Sequence, residues 1–317
     1  MDDIEVIARK ISCIQENIER IIRGKSVSVK LAVLTLVAEG HLLIEDIPGV
    51  GKTTLAQALA SSLGCSFHRI QFTSDLLPSD IVGVSVYNPT LNQFEFKAGP
   101  IFTSILLADE INRSTPKTQS ALLEAMNEGQ VSVDKVTYKL PSPFMVIATQ
   151  NPYERHGTFP LPESQLDRFM IRIRMGYPDE YYEREVLQDR WVEFPQDLIE
   201  PVITVEEVLD IQRVVENIHV DTSLLDYIIA IVNMTRNSDI IGLGISPRGA
   251  IFLKRAAQAY AIIEGRDYCT PDDIKFLAPF VFSHRIILKR PYGHADERDH
   301  ENNQIIIDIL DKVPVPV

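Results

Sequence analysis

Long apolar runs, internal repeats and paired metal-binding residues are all missing from this chain of 317 residues. No stretch approaches the length of a membrane span, which argues against direct membrane insertion. No period of twenty to fifty residues recurs, so a solenoid is excluded. Low-complexity sequence is confined to Val313-Pro314-Val315-Pro316-Val317, a tail expected to fray. The three cysteines, Cys13, Cys65 and Cys269, form no CxxC pair and sit in mostly apolar or helical sequence, so they read as reduced core thiols. The histidines at His41, His68, His156, His219, His284, His294 and His300 show neither HExxH nor any paired spacing, and no zinc site is assigned. Positive charge is short as well, with 31 Lys and Arg against 44 Asp and Glu and a net charge of −13. Long-range repulsion then opposes non-specific attraction to phosphate backbones or anionic lipid, and no nucleic acid partner is expected. Met1-Asp2-Asp3 is acidic where a secretory signal would be basic, which points to a cytoplasmic protein.

What is present describes a compact globular protein, because hydrophobic residues at 45% and charged residues at 24% are ordinary values. The length suits two domains of unequal size, each with its own core. Ile4, Ile7, Ile11, Ile14, Ile18, Ile21 and Ile22 recur at steps of three and four, predicting an amphipathic helix that packs on its own domain. A second helix is predicted over 27–39, closed by Gly40. Leu42-Leu43-Ile44 then leads through a Gly/Pro turn into a helical pattern over 52–63 that closes on Gly64, giving strand, loop, helix. Further buried strands are predicted over 67–72, 105–108, 144–149 and 169–173, so five core strands form a mainly parallel sheet. Segments 84–87 and 93–97 flank Asn88-Pro89-Thr90-Leu91-Asn92, and 130–133 and 136–139 flank Asp134-Lys135, the pattern of two β-hairpins. After Tyr177-Pro178-Asp179 the pattern turns helical over 180–190, 205–217, 223–237, 247–264 and 271–280. The expected domains are 1–176 and 177–317.

The turn after the first strand, Asp46-Ile47-Pro48-Gly49-Val50-Gly51-Lys52-Thr53, fits the phosphate-binding motif GxxxxGK[ST] at Gly51, Lys52 and Thr53. Glycines let backbone N–H groups wrap phosphates, the lysine reaches the β and γ oxygens, and the hydroxyl binds Mg²⁺. The position between strand and helix adds the helix dipole. Asp46 departs from the motif by standing in the place of its first glycine. Ile105-Leu106-Leu107-Ala108-Asp109-Glu110 supplies two carboxylates at the carboxyl end of an apolar strand. Asp109 would hold Mg²⁺ and Glu110 would polarise the attacking water, unless the pair merely caps the next helix. Asn151 follows the strand 144–149 and would hydrogen-bond the γ-phosphate or position the water, or serve as a turn residue before Pro152. Phosphoryl transfer uses guanidinium groups to stabilise developing charge, and Arg168 and Arg248 are the two candidates.

These segments together, HLLIEDIPGVGKTTLAQALA, LLADEINRSTPKTQSALLEAMNEGQVSV, FMVIATQNPYERHGTFPLPESQLDRF and ISPRGA, resemble the MoxR family of AAA+ ATPases from about residue 24 to about residue 280. The resemblance implies a P-loop domain of α/β class with a five-stranded mainly parallel sheet and two hairpin insertions, plus a C-terminal all-α lid. It implies ATP and Mg²⁺ as ligands. Gly49, Val50, Gly51, Lys52, Thr53 and Thr54 would then bind nucleotide as Walker A, with Thr53 and Asp109 toward the metal. Glu110 completes Walker B, Asn151 is sensor 1, Arg168 matches the arginine finger and Arg248 sensor 2, acting on its own or a neighbour's nucleotide. In this family a non-glycine residue at the position of Asp46 is common. A finger supplied to a neighbour implies a homo-oligomeric ring, commonly hexameric. The family also implies chaperone-like remodelling or maturation of protein partners, von Willebrand factor A domain proteins among them. The hairpins then become pore-facing or partner-facing elements.

Two alternatives belong to other classes. A DNA-translocating ring needs basic hairpin tips, yet Glu95 accompanies Lys97, and Asp134 accompanies Lys135 and Lys139. A nucleotide-dependent scaffold that does not hydrolyse would have no use for Glu110 and Arg168. Asp75 and Asp80 near the first hairpin read as solvated loop carboxylates or ligands for a partner's metal. His284-Arg285 and Lys289-Arg290 form a basic cluster open to intramolecular ion pairs, a subunit contact or a ligand.

Overall fold

The isoleucine stripe lies on helix α1 (Asp2–Glu19) and the turn after it, with Ile11, Ile14 and Ile18 fully buried. Cys13 sits off that stripe and is exposed, so it is not a core thiol, whereas Cys269 is buried and Cys65 is half-buried. In this computed structural model the described residues are 2–154, 157–189, 199–289 and 295–316, and His156, Arg190, Arg290 and His294 lie outside them. Helix α2 (Ser26–Val37) is buried on almost every face, as an apolar helix at the centre of a protein must be. Its left-handed terminal residue is Glu39, at φ 55°. Gly40 is there for space instead, because a Cβ on it would lie 2.7 Å from Met170.

Strand β1 (Leu42–Glu45) leads into α3 (Lys52–Ser62) and then β2 (Phe67–Gln71). After the short α4 (Pro78–Val82), β3 (Gly83–Asn88) and β4 (Gln93–Ala98) pair as an antiparallel hairpin. Strand β5 (Ile105–Asp109), helix α5 (Pro116–Glu128) and a second hairpin of β6 (Gln130–Val133) and β7 (Val136–Lys139) follow. Then come β8 (Met145–Gln150), α6 (Glu163–Leu166) and β9 (Ile171–Ile173). The five expected strands form one parallel sheet in the order β2–β5–β8–β1–β9. Alternate residues enter two apolar clusters: Leu42, Ile44, Ile105, Leu107 and Ile147 on one face, Leu43, Leu106, Ala108, Val146 and Ala148 on the other. A run buried on both faces is what a parallel sheet covered on both sides requires. The edge strand β2 departs from the expected buried strand, since His68, Arg69 and Gln71 are exposed.

The helical part contains α7 (Glu180–Asp189), α8 (Val205–Glu216), α9 (Thr222–Arg236), β10 (Ile241–Leu243), α10 (Pro247–Ile263), α11 (Pro271–Phe282), β11 (Ile287–Leu288) and α12 (Ala295–Lys312). Thr204 and Glu207 make a reciprocal capping box for α8, and Asp221 and Ser246 cap α9 and α10, so each start is set locally. The sequence pattern did not predict the small antiparallel β10–β11 pair or α12. Three residues containing Gly242 are too few for a period, and the polar first half of α12 hides the buried Ile305, Ile306, Ile309 and Leu310. Val313 is buried, so the terminal tail is anchored at its first residue. One apolar cluster runs without a break from α1 and the sheet face beside it into α8–α11, so the expected two separate cores are joined.

Candidate nucleotide site

The carboxyl ends of β1, β5 and β8 open on one edge, the place where an open α/β sheet binds ligands. Between β1 and α3 the chain turns through Gly49 at φ 86° and Gly51 at φ 94°, values that L side chains rarely adopt. Gly51 is also the residue before α3, so the loop's N–H groups and the helix N-terminus converge. Lys52 Nζ donates to the carbonyls of Asp46 at 2.6 Å and Ile47 at 3.2 Å. Burial lowers its pKa, against the raising charges of Asp46, Asp109 and Glu110.

Asp46, the misfit of the motif, is an anchor. Its Oδ1 accepts from the N–H of Ile47 at 2.8 Å, and its Oδ2 accepts from those of Met175 at 2.7 Å and Gly176 at 2.6 Å. The loop is thereby tied to the chain segment that leaves β9. Glycine could not do this, and local pattern carries no sign of it because Met175 and Gly176 lie some 130 positions away.

Asp109 and Glu110 face the same cleft. The buried Thr149 hydroxyl donates to Asp109 Oδ1 at 2.6 Å and accepts from the Glu110 N–H at 2.9 Å, fixing both residues at once. Asp109 Oδ2 pairs with Arg69 Nη2 at 2.6 Å. Glu110 Oε2 accepts from Gln71 Nε2 at 2.8 Å and lies 3.1 Å from Arg113 Nε. Glu110 itself adopts φ 56°, a left-handed conformation that turns its side chain out of the strand line. Arg69, Gln71, Arg113 and Thr149 were not singled out in the sequence. The available signal was polar residues at alternate positions of a strand otherwise read as buried.

The cleft, of about 350 Å³, is lined by Pro48, Gly49, Gly51, Lys52, Thr53, Thr54, Arg69, Gln71, Asp109 and Glu110. Val50 turns to the core instead. Asn151 lines an adjoining cavity of about 310 Å³ with Glu45, Gln150 and Glu154, and its Oδ1 accepts from the Tyr153 N–H at 3.1 Å, closing the turn. Arg113 bridges the two cavities by pairing with both Glu110 and Glu154. Thr53 and Asp109 are hard oxygen donors beside a lysine and a glycine-rich turn, a donor set that fits Mg²⁺ with a polyphosphate. Arg168 and Arg248 line neither cavity. Arg168 donates to the Leu123 carbonyl of α5.

A model of the ATPase family associated with various cellular activities (AAA) matches residues 41–171, and one of the AAA lid domain matches residues 233–309. Chaperone MoxR1 of Mycobacterium tuberculosis is 40% identical over 280 residues, 86% of this chain and 74% of that protein. The chain belongs to the MoxR family of AAA+ ATPases. An uncharacterized protein of Bacillus subtilis, YeaC, is 51% identical over 95% of this chain and 93% of its own. The crystal structure of a candidate ATPase from Cytophaga hutchinsonii superposes with a TM-score of 0.89 at 38% identity, covering 100% of this chain and 98% of that one. The lid match runs from the end of α9 into α12 and so takes in the β10–β11 pair and most of the last helix, which the sequence pattern did not predict.

Among the remaining candidates, Asp80 accepts from the Leu77 N–H at 2.9 Å and caps α4, and a hydrogen bond with Thr73 lowers the Asp75 pKa. Both are occupied locally. Of the basic cluster, Arg285 is buried in an ion pair with Asp167, the intramolecular alternative.

Proposed function

We propose that this chain hydrolyses ATP as a Mg²⁺-dependent ATPase, working as a ring of identical subunits that remodels or matures protein partners. The observation that carries the reading is the convergence of Lys52, Thr53, Asp109 and Glu110 on one cleft at the carboxyl edge of the sheet. In this reading the N–H groups from Gly49 to Thr54 and the Lys52 ammonium hold the phosphates. Lys52 leaves the carbonyls of Asp46 and Ile47 for the phosphate oxygens, which offer it full negative charge. Thr53 and Asp109 would hold Mg²⁺, which when bound neutralises charge on the β and γ phosphates. Glu110, set by Thr149 and Gln71, takes the proton of the attacking water. Asn151 orients that water from the adjoining cavity.

Arg168 and Arg248 lie outside the cleft of their own subunit, which supports their acting on the nucleotide of a neighbour, hence a ring, commonly of six. Residues 1–176 form the nucleotide-binding unit and 177–317 the lid. The relative named a chaperone supports a protein client, and a von Willebrand factor A domain protein is the client class proposed. The first hairpin exposes Leu91 and Phe94 and carries Glu95 and Lys97, a surface suited to protein more than to a phosphate backbone.

Glu110→Gln separates binding from turnover. ATP turnover is expected to fall about a hundredfold or more, with nucleotide affinity retained within about twofold. Wild-type turnover by this variant in an assembled preparation would refute the catalytic reading.

A further inference from the structure

The segment carrying Arg168 and the helix start carrying Arg248 are joined by half-buried polar contacts that the nucleotide cleft does not use. Asp167 accepts from Ser246 Oγ at 2.9 and 3.1 Å on its two oxygens, and Arg285 Nε donates to Asp167 Oδ1 at 2.9 Å. Ser246 simultaneously accepts from the Gly249 N–H at 3.1 Å, so the residue that caps α10 also grips Asp167. Arg248 is the second residue of that helix. The Arg285 guanidinium, 1% exposed, also donates to the carbonyls of Asp167 (3.3 Å), Phe169 and Met170 (3.3 Å), the backbone on either side of Arg168. Its stem crosses Gly249, where a Cβ would come within 3.0 Å of Cδ, and its charge lies 5.2 Å from the Phe252 ring. One buried side chain thus touches α10, α11 through the Val281 carbonyl, and the 167–170 strip.

We propose that Asp167 and Arg285 are positioning residues that hold Arg168 and Arg248 in one fixed relation, so that both guanidinium groups reach the triphosphate bound by a second copy of this chain together. The inference rests on the finger reading of Arg168. Burial first, and then the charge of Arg248, lower the Arg168 pKa, so the strut holds two like charges near each other and a polyphosphate relieves their repulsion. A fork of five donors suits this role because one guanidinium satisfies several carbonyls and a carboxylate at once. Geometry at this level matters for rate, since a shift of about 1 Å at a transition-state group costs on the order of a hundredfold.

Asp167→Asn keeps the shape and removes the charge. In assembled full-length protein, kcat is expected to fall about tenfold to a hundredfold, while binding of a fluorescent ATP analogue to the variant's own site stays within about twofold. Asp167→Asn combined with Arg168→Ala should be no slower than Arg168→Ala alone. Mixing Asp167→Asn subunits with Lys52→Ala subunits, which offer an intact strut to their neighbours, should restore turnover; damage confined to a subunit's own site would not be rescued. Should Asp167→Asn not assemble, Ser246→Ala removes the lid side of the strut together with the α10 cap and is expected to lose several-fold in kcat, whereas Ser246→Gly, which weakens the cap far less, should lose as much if the strut carries the effect. Wild-type turnover by any of these variants, or losses that add to that of Arg168→Ala, would overturn the strut while leaving the finger intact. Wild-type turnover by Arg168→Ala would instead remove the finger reading on which the strut depends.

Discussion

His41 shows how completely one side chain can be committed to structure. It stands just before β1, with Nδ1 accepting from the Val146 N–H at 3.0 Å and Nε2 placed 3.0 Å from the Met126 carbonyl. Only the neutral ring can do both, and burial pulls its pKa from 6.5 to about 4. The unfolded chain therefore takes up a proton at higher pH than the folded one. The stabilisation is complete above about pH 6.5 and is lost as pH falls toward 4, a window worth about 3 kcal/mol. His41→Phe should flatten the decline of thermal stability between these pH values while lowering stability at pH 7; an unchanged slope would show that other groups carry it. Asp46 is the second instance. Removing a carboxylate that accepts three backbone N–H bonds leaves the Met175 donor buried and unpaired, so Asp46→Ala should cost about 2–4 kcal/mol and lower the melting temperature by several degrees. A melting temperature within one degree of wild type would show that the anchor carries no weight.

Among the elements, the hairpins have the most to explain. Phe96 of β4 stacks on Tyr138 of β7 with ring centroids 4.0 Å apart, and touches Phe102 at 5.7 Å. Two antiparallel pairs, each marginal alone, thereby support one another and lean on the cluster below the sheet. Phe96→Ala should speed amide hydrogen exchange in β6–β7 as well as in β3–β4, read by mass spectrometry. Acceleration confined to β3–β4 would mean the stack does not couple them. Both hairpins could be read in advance because a turn of Asn, Pro and Asp between alternating residues is a local signal. Their mutual contact could not, since Phe96 and Tyr138 look like any aromatic on a strand.

At the scale of the whole molecule, the cleft is well supplied with anion-binding and acid–base groups but has neither Arg168 nor Arg248 on its walls. A site completed by a second copy gains activity from assembly. ATP turnover per subunit should therefore rise with protein concentration and plateau as rings form, in step with mass measured by light scattering. Turnover per subunit that stays constant while the mass falls to that of one chain would argue for a complete site within each subunit. No helix among the described residues is long and apolar enough to cross a membrane, so the remodelling proposed does not require the chain to span one.

The five parallel strands, both hairpins, the glycine-containing turn between β1 and α3 and the two carboxylates at the end of β5 were determined by sequence alone, because each is encoded in a window shorter than about a dozen residues by period or turn chemistry. The edge character of β2, the last helix and the joined core were not, because burial depends on which surfaces meet. The same holds for the site. Lys52, Thr53, Asp109 and Glu110 announce themselves by spacing, while Arg69, Thr149, Asp167 and Arg285 act through partners from 40 to 118 positions away, and only the fold brings those carboxylates, hydroxyls and guanidinium groups within hydrogen-bond reach of one another.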